Sequence, residues 1–329
     1  MCIRDSSIAQ LKDSFLDYLQ QNPFTKAPTK LFEPVDYIMQ LGGKRIRPIL
    51  VLMAYNLYET NIKTALPIAQ AVEIFHNFSL VHDDIMDEAP LRRGKPTVHY
   101  KYDTNTGILS GDVMLIYAYH YLLKIEDKTI VPEIIKTFTE VAEAVCIGQQ
   151  YDMDFETSNE VTIPAYLMMI EHKTAFLLVG ALKMGAILAK ASEEDVFHLG
   201  EFGRNIGIAF QLQDDILDTF GDAATFGKRI GGDILQNKKT FLVLKTLAVA
   251  SEKDKKELEK LMSSYPAEEA KKIKEVKRIF QKNNIQHLAN QVKNEYQDKA
   301  MNHLNMVGVA EEKKAELKAL AALLLKRKA

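Results

Sequence analysis

Disulfide chemistry has almost nothing to work with in this 329-residue chain, which holds two cysteines, Cys2 and Cys146. No cystine framework and no cysteine-based zinc site can be built from them, so a reducing, cytoplasmic setting is expected. Glycine (16) and proline (10) are scarce for the length, which argues against a turn-rich all-β fold. Tryptophan is absent. The longest apolar stretch, Phe176–Ala189, is short for a bilayer and carries Lys183, so stable membrane insertion is not expected. No basic segment followed by an apolar core opens the chain, so secretion is not indicated. Neither charge sign dominates: 42 Lys and Arg stand against 44 Asp and Glu, a net charge of −2. That excludes a global nucleic-acid footprint but not a local basic patch.

What is present is helical periodicity nearly throughout. Apolar Ile8, Leu11, Phe15, Leu16 and Leu19 recur at spacings of three and four after Ser7. Pro23, Pro28 and Pro34 read as linker punctuation, and Gly42-Gly43 ends a short helix begun at Phe32. The segment 65–87 is apolar on several faces and predicts a central buried helix. Residues 88–102 read as a loop, 221–240 as a glycine-rich loop, and 251–284 as a solvent-facing pair of helices. No strand alternation and no fixed-period repeat is visible. The opening Met1–Ser6 fits no pattern around it and reads as a non-native leader, leaving 7–329 as a single all-α domain.

Two acidic clusters stand out, Asp83-Asp84-Ile85-Met86-Asp87 and Asp214-Asp215-Ile216-Leu217-Asp218. On a helix, positions i and i+4 lie about 40° apart, so Asp83 with Asp87, and Asp214 with Asp218, share a face. Gln211 joins the second face one turn earlier. Clustered carboxylates repel each other unless a cation joins them, and oxygen-only ligands favour Mg²⁺ with substrate phosphates. One such cluster is most simply a solvated helix end; two copies of the same spacing on buried-looking helices favour a metal site. Cations accompany them: Lys44 and Arg47 at a helix start, Arg92 and Arg93 in the loop after Asp87, Lys228 and Lys238 after the second cluster. Singly each is ordinary surface charge; together they suit phosphate groups. Glu73-x-x-His76 matches half of a di-iron signature, but no second copy exists, which leaves His76 as a core residue or a phosphate donor.

In order, Gly42-Gly43-Lys44-Arg45-Ile46-Arg47-Pro48, the segment His76 to Asp87, Leu91-Arg92-Arg93-Gly94, Lys173-Thr174, Phe210 to Asp218, Gly227-Lys228 and Lys238-Lys239-Thr240 resemble the trans-isoprenyl diphosphate synthases, the polyprenyl synthetase family. The resemblance covers roughly residues 35–245. It implies an all-α bundle around a deep central cavity, usually a homodimer. It also implies condensation of an allylic diphosphate with isopentenyl diphosphate, releasing diphosphate. By position, Asp83, Asp87 and Asp214 would hold up to three Mg²⁺ ions, assisted by Asp215 and Asp218. Arg92, Lys173, Thr174, Gln211 and Lys228 would serve the allylic side. Lys44, Arg47, His76 and Arg93 would hold isopentenyl diphosphate, and Lys238 would join the substrate-binding set. Asn237 departs from the family's usual glycine before Lys238 and puts the placement of that lysine in question.

Phe78, five residues before Asp83, would floor the product pocket, with Ser79 and the deeper Phe75 beside it. Ordinary core packing accounts for both aromatics equally well. The resemblance to archaeal-type geranylgeranyl diphosphate synthases points to a C20 product, with C15 as the alternative. A terpene cyclase would replace the second Asp-rich motif with an Asn/Asp-x-x-Ser/Thr-x-x-x-Glu pattern, and a silent regulatory subunit would have lost acidic residues. Neither departure is present.

Overall fold

The computed structural model describes residues 7–158, 160–221, 230–264 and 268–325, which are helical almost throughout. The chain divides into two compact units, each assembled from three separate segments. The first holds the chain through Glu143 with Leu177–Gly200 and Met306–Leu317; the second holds Ala144–Phe176, Glu201–Asn305 and the chain from Lys318.

In the first unit, α1 (Ile8–Gln21) starts on a reciprocal capping box between Ser7 and Gln10, as a helix beginning at Ser7 requires. Helix α2 (Thr29–Gln40) begins earlier than the periodicity suggests and contains Pro34. The proline costs the ladder one hydrogen bond, and burial of Phe32, Val35, Ile38 and Met39 outweighs it. Helices α3 (Ile46–Asn56) and α4 (Leu66–Met86) pack together, and α4 also packs along α6 (Thr104–Leu122). Most of α4 from Leu66 to Phe75 is buried on every face, as its predominantly apolar character requires.

Residues 88–102 are more ordered than a plain loop. Strands β1 (Leu91–Arg92) and β2 (Lys95–Pro96) form a hairpin, followed by the single-turn α5 (Val98–Lys101). Arg93 (φ 52°) and Gly94 (φ 73°) fill a two-residue turn that needs positive φ at both positions.

Helix α7 (Val131–Thr157) contributes its C-terminal part to the second unit, together with α8 (Ile163–Ile170), a π turn over Glu171–Ala175, and α10 (Glu193–Phe220) from Glu201 onward. Helix α9 (Phe176–Leu188) follows the π turn directly. The run Ile163–Leu188 is long and apolar enough to cross a membrane, which exceeds the stretch read from the sequence. Half of its apolar window is buried inside the protein, as in the core helix of a folded domain. Beyond α10 come α11 (Gly232–Leu235), α12 (Phe241–Val249), α13 (Glu252–Met262), α14 (Glu269–Lys282) and α15 (Ile285–Met306). Tyr166, Ile170, Leu212, Ile216, Phe241 and Phe280 belong to one core there.

The π turn is enclosed by backbone. A Cβ on Gly148 of α7 would lie 2.6 Å from Lys173 Cα, and one on Gly207 of α10 would lie 2.6 Å from Ala175 Cα. Neither obstacle is a flexible side-chain tip, so the helices must shift to admit even a methyl group. Gly148→Ala and Gly207→Ala are each expected to lose about 1–3 kcal/mol of stability. A denaturant midpoint that equals the wild type's for both would refute this packing constraint.

Candidate functional site

The sequence-selected cations of the first unit meet around the start of α3. Gly42 (φ 79°) and Gly43 (φ 126°) turn the chain, and Arg45 (φ 53°) precedes the helix. Glycine is needed at 43 twice over: its φ disfavours side chains, and a Cβ would meet the Arg93 guanidinium at 2.9 Å. Arg93 Nη1 donates to the Gly42 carbonyl, which brings the hairpin turn onto this loop. Arg45 is buried and forms an ion pair with Glu73 of α4, while its other terminal nitrogen donates to the Met39 carbonyl. Asn77 donates to Glu73 Oε1 at 3.1 Å. This buried trio was not singled out from the sequence. Its signal was Glu73 inside an otherwise apolar run, where a charge requires a partner.

Arg47 Nη1 donates to His76 Nε2 at 3.0 Å. A guanidinium cannot accept, so His76 carries any imidazole proton on Nδ1. Burial, and then the charges of Arg47, Arg93, Arg92 and Arg45, push the His76 pKa well below its ordinary value, so the ring is neutral at physiological pH. Burial and Arg93 likewise bring Arg47 down to about 10 against the opposing pull of Glu73, and it stays charged. Arg47 Nε is buried with no partner. No carboxylate pairs with Lys44, Arg47 or Arg93 among the described residues, and Lys44 and Arg93 reach solvent. The cluster thus offers excess positive charge, an orphaned N–H and a neutral imidazole, a donor set suited to a diphosphate.

At the end of α4 the three aspartates differ sharply. Asp84 is buried and gripped by Arg92, whose Nε lies 2.9 and 2.8 Å from its two oxygens. Burial raises the Asp84 pKa, and Arg92 works against that rise. Asp83 is half-buried with Arg92 Nη2 at 3.4 Å, and Asp87 is exposed. The separation of Asp84 from the face of Asp83 and Asp87 follows the helical geometry expected from the sequence. One turn earlier, Phe78 is half-buried and packs on Phe75 with ring centroids 5.5 Å apart. Phe75 is fully buried against Phe138 at 5.3 Å, which makes it a core residue. Ser79 Oγ donates to the His76 carbonyl at 2.8 Å.

The second unit contains a cleft beside the π turn. Its polar wall includes Asp152, Lys173, Thr174, Gln211, Asp215, Asp233 and Lys238, and its apolar wall Phe155, Tyr166, Met169 and Ile170. Lys173 Nζ donates to Asp152 Oδ2 at 2.5 Å. Thr174 Oγ1 donates to Gln211 Oε1 at 3.2 Å, and Gln211 Nε2 donates to Asp215 Oδ1 at 3.3 Å. The Tyr166 hydroxyl donates to the other Asp215 oxygen. Asp218 is engaged differently: its Oδ2 accepts from the Asp233 amide at 3.1 Å. Tyr166, Asp152 and Asp233 were missed in the sequence because they sit on other elements, at separations no local motif records. Lys228 lies outside the described residues.

Burial, then the charges of Asp233 and Asp214, drive the Asp215 pKa well above that of an ordinary carboxylate, although Tyr166 and Gln211 oppose the rise. Carboxylates crowded in this way are relieved by a cation. Among the described residues no three His, Cys, Asp or Glu side chains are grouped as a ready-made metal cage. This donor set fits Mg²⁺, which takes one or two carboxylates and completes its octahedron with water and phosphate oxygens.

The pattern of the polyprenyl synthetase family matches residues 28–280. A short chain isoprenyl diphosphate synthase of Methanocaldococcus jannaschii is 40% identical over 71% of this chain and 72% of its own length. A geranylgeranyl diphosphate synthase of Saccharolobus solfataricus is 39% identical over 93% of each chain. Among solved structures, a geranylgeranyl pyrophosphate synthase superposes with a TM-score of 0.94 at 42% identity, covering 98% of this chain and 100% of that one. Similarity of this extent, on the motifs assembled above, places the chain in the polyprenyl synthetase family.

Proposed function

We propose that this protein is a prenyltransferase that joins an allylic diphosphate to isopentenyl diphosphate and builds all-trans geranylgeranyl diphosphate, C20, with release of diphosphate. The observation that carries the reading is the excess of positive charge from Arg47 and Arg93 around neutral His76. A single-substrate cyclase has no use for a second diphosphate site. Relatives named geranylgeranyl diphosphate synthase at about 40% identity support the C20 product.

Lys44, Arg47, His76 and Arg93 bind isopentenyl diphosphate, and the buried Arg45–Glu73 pair fixes the loop that carries the first two. Arg92, Lys173, Thr174, Gln211, Lys228 and Lys238 serve the allylic diphosphate. Asp83, Asp87 and Asp214, assisted by Asp215 and Asp218, hold Mg²⁺. When bound, Mg²⁺ supplies neutralisation of the charge that develops on the departing diphosphate. The allylic carbocation that remains is short-lived in water, so the apolar wall of Phe155, Met169 and Ile170 excludes it. Thr174 and Gln211 line the same cleft, where their side-chain oxygens stabilise positive charge. The isopentenyl double bond then attacks, and the proton lost from the adduct passes to the released diphosphate.

The chain acts as one catalytic domain in a cytoplasmic homodimer. Leu109, Ile116 and Leu123 are each more than half exposed at a spacing of seven residues and give α6 and its cap an unpartnered apolar seam. Ile116→Glu is expected to leave a monomer by analytical ultracentrifugation; a dimer of wild-type affinity would point to another face.

Incubation with isopentenyl diphosphate and dimethylallyl, geranyl or farnesyl diphosphate in Mg²⁺ is expected to end at C20. Phe78→Ala, which removes the half-buried ring above Phe75, is expected to lengthen the product; an identical mass spectrum would remove Phe78 from this role. Asp83→Ala at saturating Mg²⁺ is expected to lose several kcal/mol of transition-state stabilisation, about a thousandfold in turnover. Near-normal turnover would sink the metal-assisted scheme.

A further inference from the structure

Asn237 and Lys272 meet beneath the loop that carries Lys238, outside every residue assigned a role above. Asn237 adopts φ 57°, a left-handed conformation that asparagine tolerates better than other side-chain-bearing residues. Its side-chain oxygen accepts from Lys272 Nζ, and the same ammonium donates to the Ser264 carbonyl at 2.8 Å. Lys272 lies on α14, is 2% exposed, and has its pKa lowered by burial. Helix α11, just before the loop, packs against α14, where a Cβ on Gly231 would meet Ile273 at 2.8 Å.

The other side of Lys238 is also fastened. Lys239 Nζ donates to the carbonyls of Phe155 (2.7 Å) and Glu156 (3.0 Å) in the last turn of α7. The Lys238 amide donates to the Asp233 carbonyl at 2.9 Å. Lys238 is therefore held between two anchored neighbours, and its side chain lines the cleft with Lys173, Gln211 and Asp215. A lysine side chain has many rotamers, so aiming its ammonium depends on fixing the backbone from which it projects.

We propose that Asn237 and Lys272 are positioning residues, a buried amide–ammonium clamp that sets the backbone of Lys238 so that its ammonium meets the allylic diphosphate. A left-handed turn alone would be met by glycine; the buried donor aimed at the asparagine oxygen is what glycine could not use.

The proposal rests on the reading of Lys238 as a diphosphate ligand, and its test separates the two. Steady-state kinetics with farnesyl diphosphate and isopentenyl diphosphate in Mg²⁺ are compared for wild type, Asn237→Gly, Lys272→Met, the double variant and Asn237→Asp. Asn237→Gly keeps the backbone conformation and loses only the acceptor. Asn237→Gly and Lys272→Met are each expected to raise KM for farnesyl diphosphate about tenfold, with KM for isopentenyl diphosphate within twofold. The double variant should be no worse than either of these, and Asn237→Asp, which keeps an acceptor oxygen, should keep the wild-type value. An unchanged KM for farnesyl diphosphate in Asn237→Gly, an equal rise for both substrates, or a multiplied loss in the double variant would overturn the clamp. If Lys272→Met does not fold, Asn237→Gly and Asn237→Asp decide the matter. Amide hydrogen exchange over 236–240 reads the clamp without turnover: faster exchange in Asn237→Gly is expected, and unchanged exchange refutes it. A wild type that forms no prenyl diphosphate would defeat the functional reading while leaving that exchange result to stand.

Discussion

Backbone proximity around residues 171–175 is the constraint on which the second unit depends. A helix that widens into a π turn needs room, yet here α7 and α10 approach it so closely that only Gly148 and Gly207 fit. The approach puts Lys173 beside Asp152 and Thr174 beside Gln211, on helices that share no local sequence. From there the polar chain continues through Gln211 and Asp215 to Tyr166. Rotating or translating the π turn would break the Lys173 and Thr174 contacts together, because an interior at near-crystalline density has no slack in which to recover them.

Buried polar groups organise the first unit in the same spirit. Arg45 and Glu73 contribute little net stability as a pair, since desolvating both charges offsets most of their attraction. Removing either one would strand the other, and that asymmetry makes the pair a locator. It joins α4 to the Gly42-Gly43 loop and fixes the start of α3, from which Arg47 reaches His76. The hairpin turn at Arg93-Gly94 closes onto the same loop through the Gly42 carbonyl. Cations from two stretches of sequence are thereby collected around His76, with Glu73 paired to Arg45 and too few acids to neutralise the rest.

Much of this was legible in the sequence, and the part that was not has a common physical origin. Helix periodicity located α1 and α4, because it is a local effect. The motif residues Lys173, Thr174, Gln211, Asp215 and Lys238 do line one cleft. Pro34 misled because long-range burial overrode a local penalty. The pairing of Arg45 with Glu73, and the groups Asp152, Tyr166 and Lys272, went unseen because what defines them is a partner on another element. Glu73 and Lys272 came nearest to being visible, as charges at positions where helical periodicity predicts burial. Asn237 was visible as an anomaly, and only the position of Lys272 gives that anomaly a cause.

The unequal exposure of the cations around His76 has a kinetic consequence. Lys44 and Arg93 face solvent, where mobile ions at physiological strength screen a charge within about 8 Å. Arg47 is half-buried with its Nε out of contact with water, and is screened less. Encounter with a polyanion is governed by the outer charges and retention by the inner one. Added salt should therefore slow capture far more than it hastens escape, so the affinity lost would come mainly from the association rate.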